Sequence, residues 1–136
     1  MGVQLQRSLD AVPAAVPELR GAVAQLLTAA GIGEPLLTAV KIAVSEAVTN
    51  VVMHAYIGAE RPGPVRLEAS LERDRLFVEV SDDGGGYRPR LDSPGLGVGL
   101  LCIADKADAV DITTSPGGGT QLRMSFAVAS CAPPRA

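Results

Sequence analysis

The segment Ile42-Ala43-Val44-Ser45-Glu46-Ala47-Val48-Thr49-Asn50-Val51-Val52-Met53-His54 constrains the fold more than any other part of the chain. It is apolar almost all round, so a helix built from it belongs inside a core. Yet Glu46, Asn50 and His54 recur every fourth residue and fall on one polar stripe of that helix. A carboxylate and a carboxamide one turn apart can divide the work of phosphate chemistry. The amide oxygen coordinates Mg²⁺, and the carboxylate orients or deprotonates a hydroxyl or a water. The same spacing also describes the solvent face of a core helix. Asn is a poor mid-helix residue, which favours the functional stripe.

The rest of the chain arranges itself around this helix, which the pattern runs from about Glu34-Pro35 to Tyr56-Ile57, ending at Gly58. Before it, Val3, Leu5 and Leu9 suggest a short edge strand. A first helix over about 14–30 has Leu19, Val23, Leu26 and Leu27 on one face, and Gly31-Ile32-Gly33 stops it. After it, residues 65–71 alternate as a strand, residues 72–75 turn, and residues 76–80 return as the antiparallel partner. Leu100 to Lys106 reads as a helix and Ala109 to Thr113 as a strand. Thr120 to Val128 forms a last strand with Leu122, Met124 and Phe126 on one side. This order predicts an α/β (α+β) two-layer sandwich: a mixed, mostly antiparallel sheet covered on one face by helices. It occupies a single domain over residues 1–129, with 130–136 as a disordered tail.

Composition narrows the function classes. The net charge is −3, and the basic residues, Lys41, Lys106 and ten scattered arginines, form no cluster, which argues against direct binding to nucleic acid. Aromatics are only 3% of the chain, so base stacking is not its main binding device. Cys102 and Cys131 make no disulfide framework, and one histidine leaves no zinc spacing. The N-terminus lacks the pattern of a signal peptide, and no run reaches the roughly 18–20 apolar residues of a membrane span. The expectation is a reduced, cytoplasmic protein with no membrane partner.

Three glycine-bearing segments remain. Val80-Ser81-Asp82-Asp83-Gly84-Gly85-Gly86-Tyr87 puts an acidic residue at a strand end before a D-x-G-x-G pattern. It is either a surface turn or a buried carboxylate that accepts the exocyclic amine of adenine, with glycines letting the backbone approach the base. Gly95-Leu96-Gly97-Val98-Gly99-Leu100 places a G-x-G-x-G directly before a predicted helix, where main-chain N–H groups make an anion site. It follows a long loop rather than a strand, so it is not a dinucleotide fingerprint, and no G-x-x-x-x-G-K-[S/T] loop is present. Gly118-Gly119-Thr120 opens the last strand. It reads as a hairpin turn or as a hydroxyl bridging to Asp82 or to the base.

In this order, E-x-x-x-N, D-x-G-x-G, G-x-G-x-G and a late Gly-Thr resemble the ATP-binding superfamily shared by type II topoisomerases, heat-shock chaperones and histidine kinases (GHKL, the Bergerat fold). Val44-Ser45-Glu46-Ala47-Val48-Thr49-Asn50 with His54-Ala55-Tyr56 is similar to the anti-sigma-factor serine kinases of the RsbW/SpoIIAB type, over about residues 5–127.

The resemblance implies ATP and Mg²⁺ as cofactors, Glu46 as catalytic base and Asn50 as metal ligand. Asp82, Gly84, Gly86 and Thr120 would lie around the base, and Gly97, Val98, Gly99 and Leu100 around the phosphates. It further implies a protein serine/threonine kinase, a sigma factor and a STAS-type antagonist as partners, and a homodimer. The chain departs from the family in its short lid, Tyr87 to Pro94, and in Leu96, where an arginine often stands. A missing cation at the transferring group can cost several kcal/mol of transition-state stabilisation while sparing ground-state binding. Arg88 and Arg90 of the lid are the candidate substitutes. The alternative reading is a non-catalytic ATP-binding module that shapes a partner-binding face. An ATPase or a histidine kinase domain is disfavoured, because no dimerisation helix bearing a phosphorylatable histidine is read ahead of the site, and His54, within the Glu46/Asn50 helix itself, reads as a packing or hydrogen-bonding residue.

Overall fold

A computed structural model of the chain describes residues 3–85, 96–114 and 117–128. The elements run β1 (Val3–Asp10), α1 (Ala15–Ala29), α2 (Leu36–Asn50), β2 (Pro64–Leu71), β3 (Arg75–Asp82), α3 (Leu96–Lys106), β4 (Ala109–Thr114) and β5 (Thr120–Ala127). The strands form one sheet in the order β1-β2-β3-β5-β4. Each pairing is antiparallel, so the expected mostly antiparallel sheet is present without a parallel pair among the described residues. β3 and β4 run in the same direction on either side of β5, and α3 is the crossover between them.

Two periodicities build the two layers. In β2 the alternation buries Val65, Leu67 and Ala69, and in β3 it buries Leu76, Val78 and Val80. On β5 the buried apolar set is Leu122, Met124 and Phe126. The helices supply the matching four-residue rhythm. α1 buries Ala15, Leu19, Val23 and Leu27, while α2 buries Val40, Ala43, Val44, Ala47 and Val48. All of these side chains belong to one core cluster, with α2 touching α1, α3 and β3.

The structure corrects the sequence reading in three places. The long helix does not run unbroken to residue 57: α2 ends at Asn50, and Val51–Ala55 continue as one turn of π-helix. Its i→i+5 bonding is of the kind that often marks functional sites, and it departs from the regular four-residue stripe at His54. Second, the span Leu36–Ala55 is long and apolar enough to cross a membrane by length and composition, contrary to expectation. It is packed here as the central core helix, burying Val40, Val44, Val48 and Val51.

Third, α3 begins at Leu96, not Leu100, which puts Gly97 and Gly99 inside its first turn rather than in a loop ahead of it. Two glycines cost a helix about 1 kcal/mol each. Docking on α2 offsets that cost, with Leu100 and Ile103 buried in the core. Gly86, the lid with Arg88 and Arg90, and the tail over 130–136 lie outside the described residues.

Candidate functional site

The inward register of β3 runs Leu76, Val78, Val80 and ends on Asp82, so the alternation that builds the core carries a carboxylate into it. Asp82 is only 2% exposed. Its Oδ1 accepts a hydrogen bond from the Gly84 main-chain N–H at 2.8 Å. Its Oδ2 is fully buried and accepts none from any described residue. Burial pushes this carboxyl above its ordinary titration range, and the main-chain N–H groups of Gly84 and Thr120 pull it partway back. The neighbouring Asp83 charge adds to the upward shift, and Arg66 opposes it.

Two glycines close in around this group because nothing larger fits. A Cβ on Gly84 would overlap the main-chain carbonyl of Ala55 at the end of the π-helical turn. One on Gly119 would overlap the carbonyl of Asp82 itself. Thr120 follows directly, 5% exposed, on the strand that pairs Gln121 with Ser81. No hydrogen bond from its hydroxyl to Asp82 is present among the described residues, and its main-chain N–H adds to the downward pull on that carboxyl.

Gly99 joins the other half of the site. A Cβ there would stand 3.1 Å from Glu46 Oε2 and 3.3 Å from Asn50 Oδ1, so the start of α3 lies directly against the Glu46/Asn50 stripe. Asn50 is 7% exposed and Glu46 half-buried. On the outer side of Glu46 an open groove of about 410 Å³ is lined by Arg20, Thr38, Lys41, Ile42 and Ser45.

The structure therefore brings together Asp82 with Gly84, Gly119 and Thr120, and Glu46 with Asn50 and Gly99. The two clusters are joined through the helix that runs from Asn50 to Ala55. Gly97 and Val98 are in the first turn of α3. The Leu100 side chain is buried in the hydrophobic core, which leaves its main chain as the part able to face a phosphate. His54 is half-buried in the π-helical turn.

Sequence reasoning missed Ala55, Gly63 and Tyr56 as site-shaping residues. The Tyr56 hydroxyl donates to the Pro64 carbonyl at 2.6 Å and accepts from the Asp83 N–H at 2.9 Å. The Pro62-Gly63-Pro64 segment reads as a turn by composition and carries no signal of the ring packed over it.

These residues fit an adenine nucleotide. The buried, unpartnered Oδ2 of Asp82 is an acceptor waiting for a donor. Among the described residues no cluster of three or more His, Cys, Asp or Glu side chains is present to hold a metal. A divalent ion beside Asn50 and Glu46 would thus draw most of its ligands from phosphate and water, as Mg²⁺ commonly does.

Known proteins share the sequence and the fold. Residues 9–126 match the family model described as the histidine kinase-like ATPase domain. An anti-sigma F factor of Clostridium beijerinckii is 34% identical over 104 residues, covering 67% of this chain and 72% of that protein. An anti-sigma F factor of Thermoanaerobacter sp. (strain X514) is 29% identical over 102 residues, covering 67% and 70%. The solved RsbU and RsbW domains of a Mycobacterium tuberculosis protein superpose with a TM-score of 0.72 at 22% identity, a likeness of fold. That match takes in 91% of this chain but spans only 32% of the longer solved one. Matched along nearly its whole length and carrying the same fold, this chain belongs to the histidine kinase-like ATPase domain family, among the RsbW/SpoIIAB-type anti-sigma factors.

Proposed function

We propose that the chain is an ATP-dependent anti-sigma factor that phosphorylates a serine on a STAS-type antagonist and, in the alternate state of the switch, holds a sigma factor. The observation that carries the ATP site is the buried, unpartnered Oδ2 of Asp82 between Gly84 and Gly119.

In this reading Asp82 accepts the exocyclic amine of adenine, Thr120 completes the base pocket, and the Asn50 amide oxygen is the protein's ligand to Mg²⁺. The main chain of α3 from Gly97 to Leu100 faces the phosphates, where helix-start N–H groups favour negative charge. Bound Mg·ATP supplies the phosphoryl group. Glu46 takes the proton from the antagonist serine hydroxyl as its oxygen bonds to the γ-phosphorus and ADP leaves. The groove past Arg20, Lys41 and Ser45 gives a polypeptide a way to reach Glu46 from outside the nucleotide cavity. The expected assembly is a homodimer acting in the cytoplasm.

The test is transfer of γ-labelled phosphate to the cognate antagonist. Wild type should transfer, and Glu46→Ala should bind Mg·ATP normally while losing about 10²-fold or more in rate. Equal transfer by the two proteins would exclude Glu46 as the base. A second reading, an ATP-gated binding module without transfer, is favoured by Leu96 at the place where the family often has arginine. Tight Mg·ATP binding by wild type with no transfer would select it.

A further inference from the structure

Asp82 and Asp83 are adjacent, and in a strand adjacent side chains face opposite ways, so a slip of one residue would exchange them. The alternation of β3 turns Asp82 inward, but Asp82 is the last residue of that strand, so its end needs a hold of its own. The ladder between β2 and β3 ends at Val65↔Asp82, and no rung beyond it holds the strand end in place. The next link is a side chain. The Tyr56 phenol spans Pro64, at the start of β2, and the N–H of Asp83, the first residue after β3, with bonds of 2.6 and 2.9 Å. It stands where the next strand pair would have been.

We infer that Tyr56 is a positioning residue that keeps Asp82, rather than Asp83, as the carboxylate facing the nucleotide base.

Three further contacts point the same way. The Asp83 carboxylate is drawn outward by Arg66 through two bonds of 2.9 and 2.6 Å. The Tyr56 ring seats over Gly63, where a Cβ would come within 2.5–2.8 Å of its Cε1, Cζ and Oη atoms. Ala55, the residue before Tyr56, meets Gly84, two residues after Asp82. Residues 55 and 56 thus hold the chain just after Asp82 at two consecutive positions, Asp83 and Gly84. The Arg66–Asp83 pair is the lesser device, because both side chains are about half exposed to solvent, at 44% and 57%.

This inference rests on the proposed contact between Asp82 and the adenine amine. Calorimetric titration of Mg·ATP and of magnesium inosine triphosphate, which has a carbonyl in place of that amine, tests both at once. Wild type should prefer ATP. Asp82→Asn should abolish the preference. Tyr56→Phe should weaken ATP about five- to tenfold, the loss expected for one or two hydrogen bonds, and inosine triphosphate by less than about twofold. A role that is only structural would weaken both nucleotides alike, and an unchanged ratio in Tyr56→Phe would overturn the inference. If Asp82→Asn also keeps the preference, the adenine contact itself is wrong and the inference falls with it. If Tyr56→Phe does not fold, Gly63→Ala, which displaces the ring without deleting it, carries the same expected change in ratio and the same refuting result.

Discussion

Replacing Asp82 by asparagine should make the nucleotide-free protein more stable while destroying its affinity for ATP. The wild-type carboxylate is buried with one oxygen unpartnered, and an unsatisfied buried acceptor costs about 1–3 kcal/mol, more if it is charged. Asparagine is nearly the same shape and keeps an oxygen for the Gly84 N–H, but it removes the charge. Its amide nitrogen inherits the unpartnered position, so the net gain is on the order of 1 kcal/mol. For a chain of this size that is a rise in Tm of about 3–5 °C.

The gain must also depend on pH, in a definite direction. Burial raises the folded-state pKa of Asp82 above its ordinary 3.8. Between 3.8 and that raised value the folded chain holds more protons than the unfolded one, so stability falls as pH rises through the window. The penalty is complete above the raised value and absent below 3.8, and the variant never has it. Differential scanning calorimetry of both apo proteins from neutral pH downward should show the variant melting higher at pH 7 and the gap closing on acidification. At neutral pH the variant should also bind Mg·ATP at least about tenfold more weakly, since an NH₂ group would face the adenine amine, donor against donor. A variant that melts below wild type at pH 7, or a gap that does not depend on pH, would refute the claim that this carboxylate is held at a cost.

Other substitutions separate packing from function. Gly84→Ala should lower stability by about 1–3 kcal/mol in urea denaturation, because its Cβ would have to displace the Ala55 main chain. Gly99→Ala should change stability by less than about 1 kcal/mol, since the helix gains what the crowding at Glu46 and Asn50 costs. The same variant should measurably weaken Mg·ATP binding by calorimetry, and unchanged binding would separate α3 from the site. Leu19→Ala, in the fully buried seam of α1, should cost about 2–5 kcal/mol, and a smaller loss in a denaturant titration would mean that the seam collapses around the gap.

Much of this was written in the sequence because periodicity is local. The alternation of Val65 to Leu71 and Leu76 to Val80 marks two strands and their buried face, and the same alternation extended by one step delivers Asp82 inward. Glu46 and Asn50 were legible because four-residue spacing on a helix needs no tertiary information.

What escaped depends on contacts across the chain. Gly97 and Gly99 argue against helix by propensity, and only the surface of α2 explains why α3 starts at Leu96. The π-helical turn has no composition of its own, and the Tyr56 clasp joins residues 8 and 27 positions apart. Tight contacts such as Gly119 on the Asp82 carbonyl follow from strand pairing that no short window of sequence contains.

The strand order also fixes when the site comes into being. β2 and β3 are consecutive and can close as a hairpin, but β3 finds its other neighbour only in β5, at the far end of the described chain. Bringing residues 75–82 to residues 120–127 means closing a loop of several dozen residues, an entropic cost repaid only once the seam zips. Gly119 and Thr120 stand on that seam, so a chain emerging from the ribosome can fold its first three strands and two helices with the pocket still missing a wall. In the proposed reading, nucleotide capture therefore waits on the last described strand.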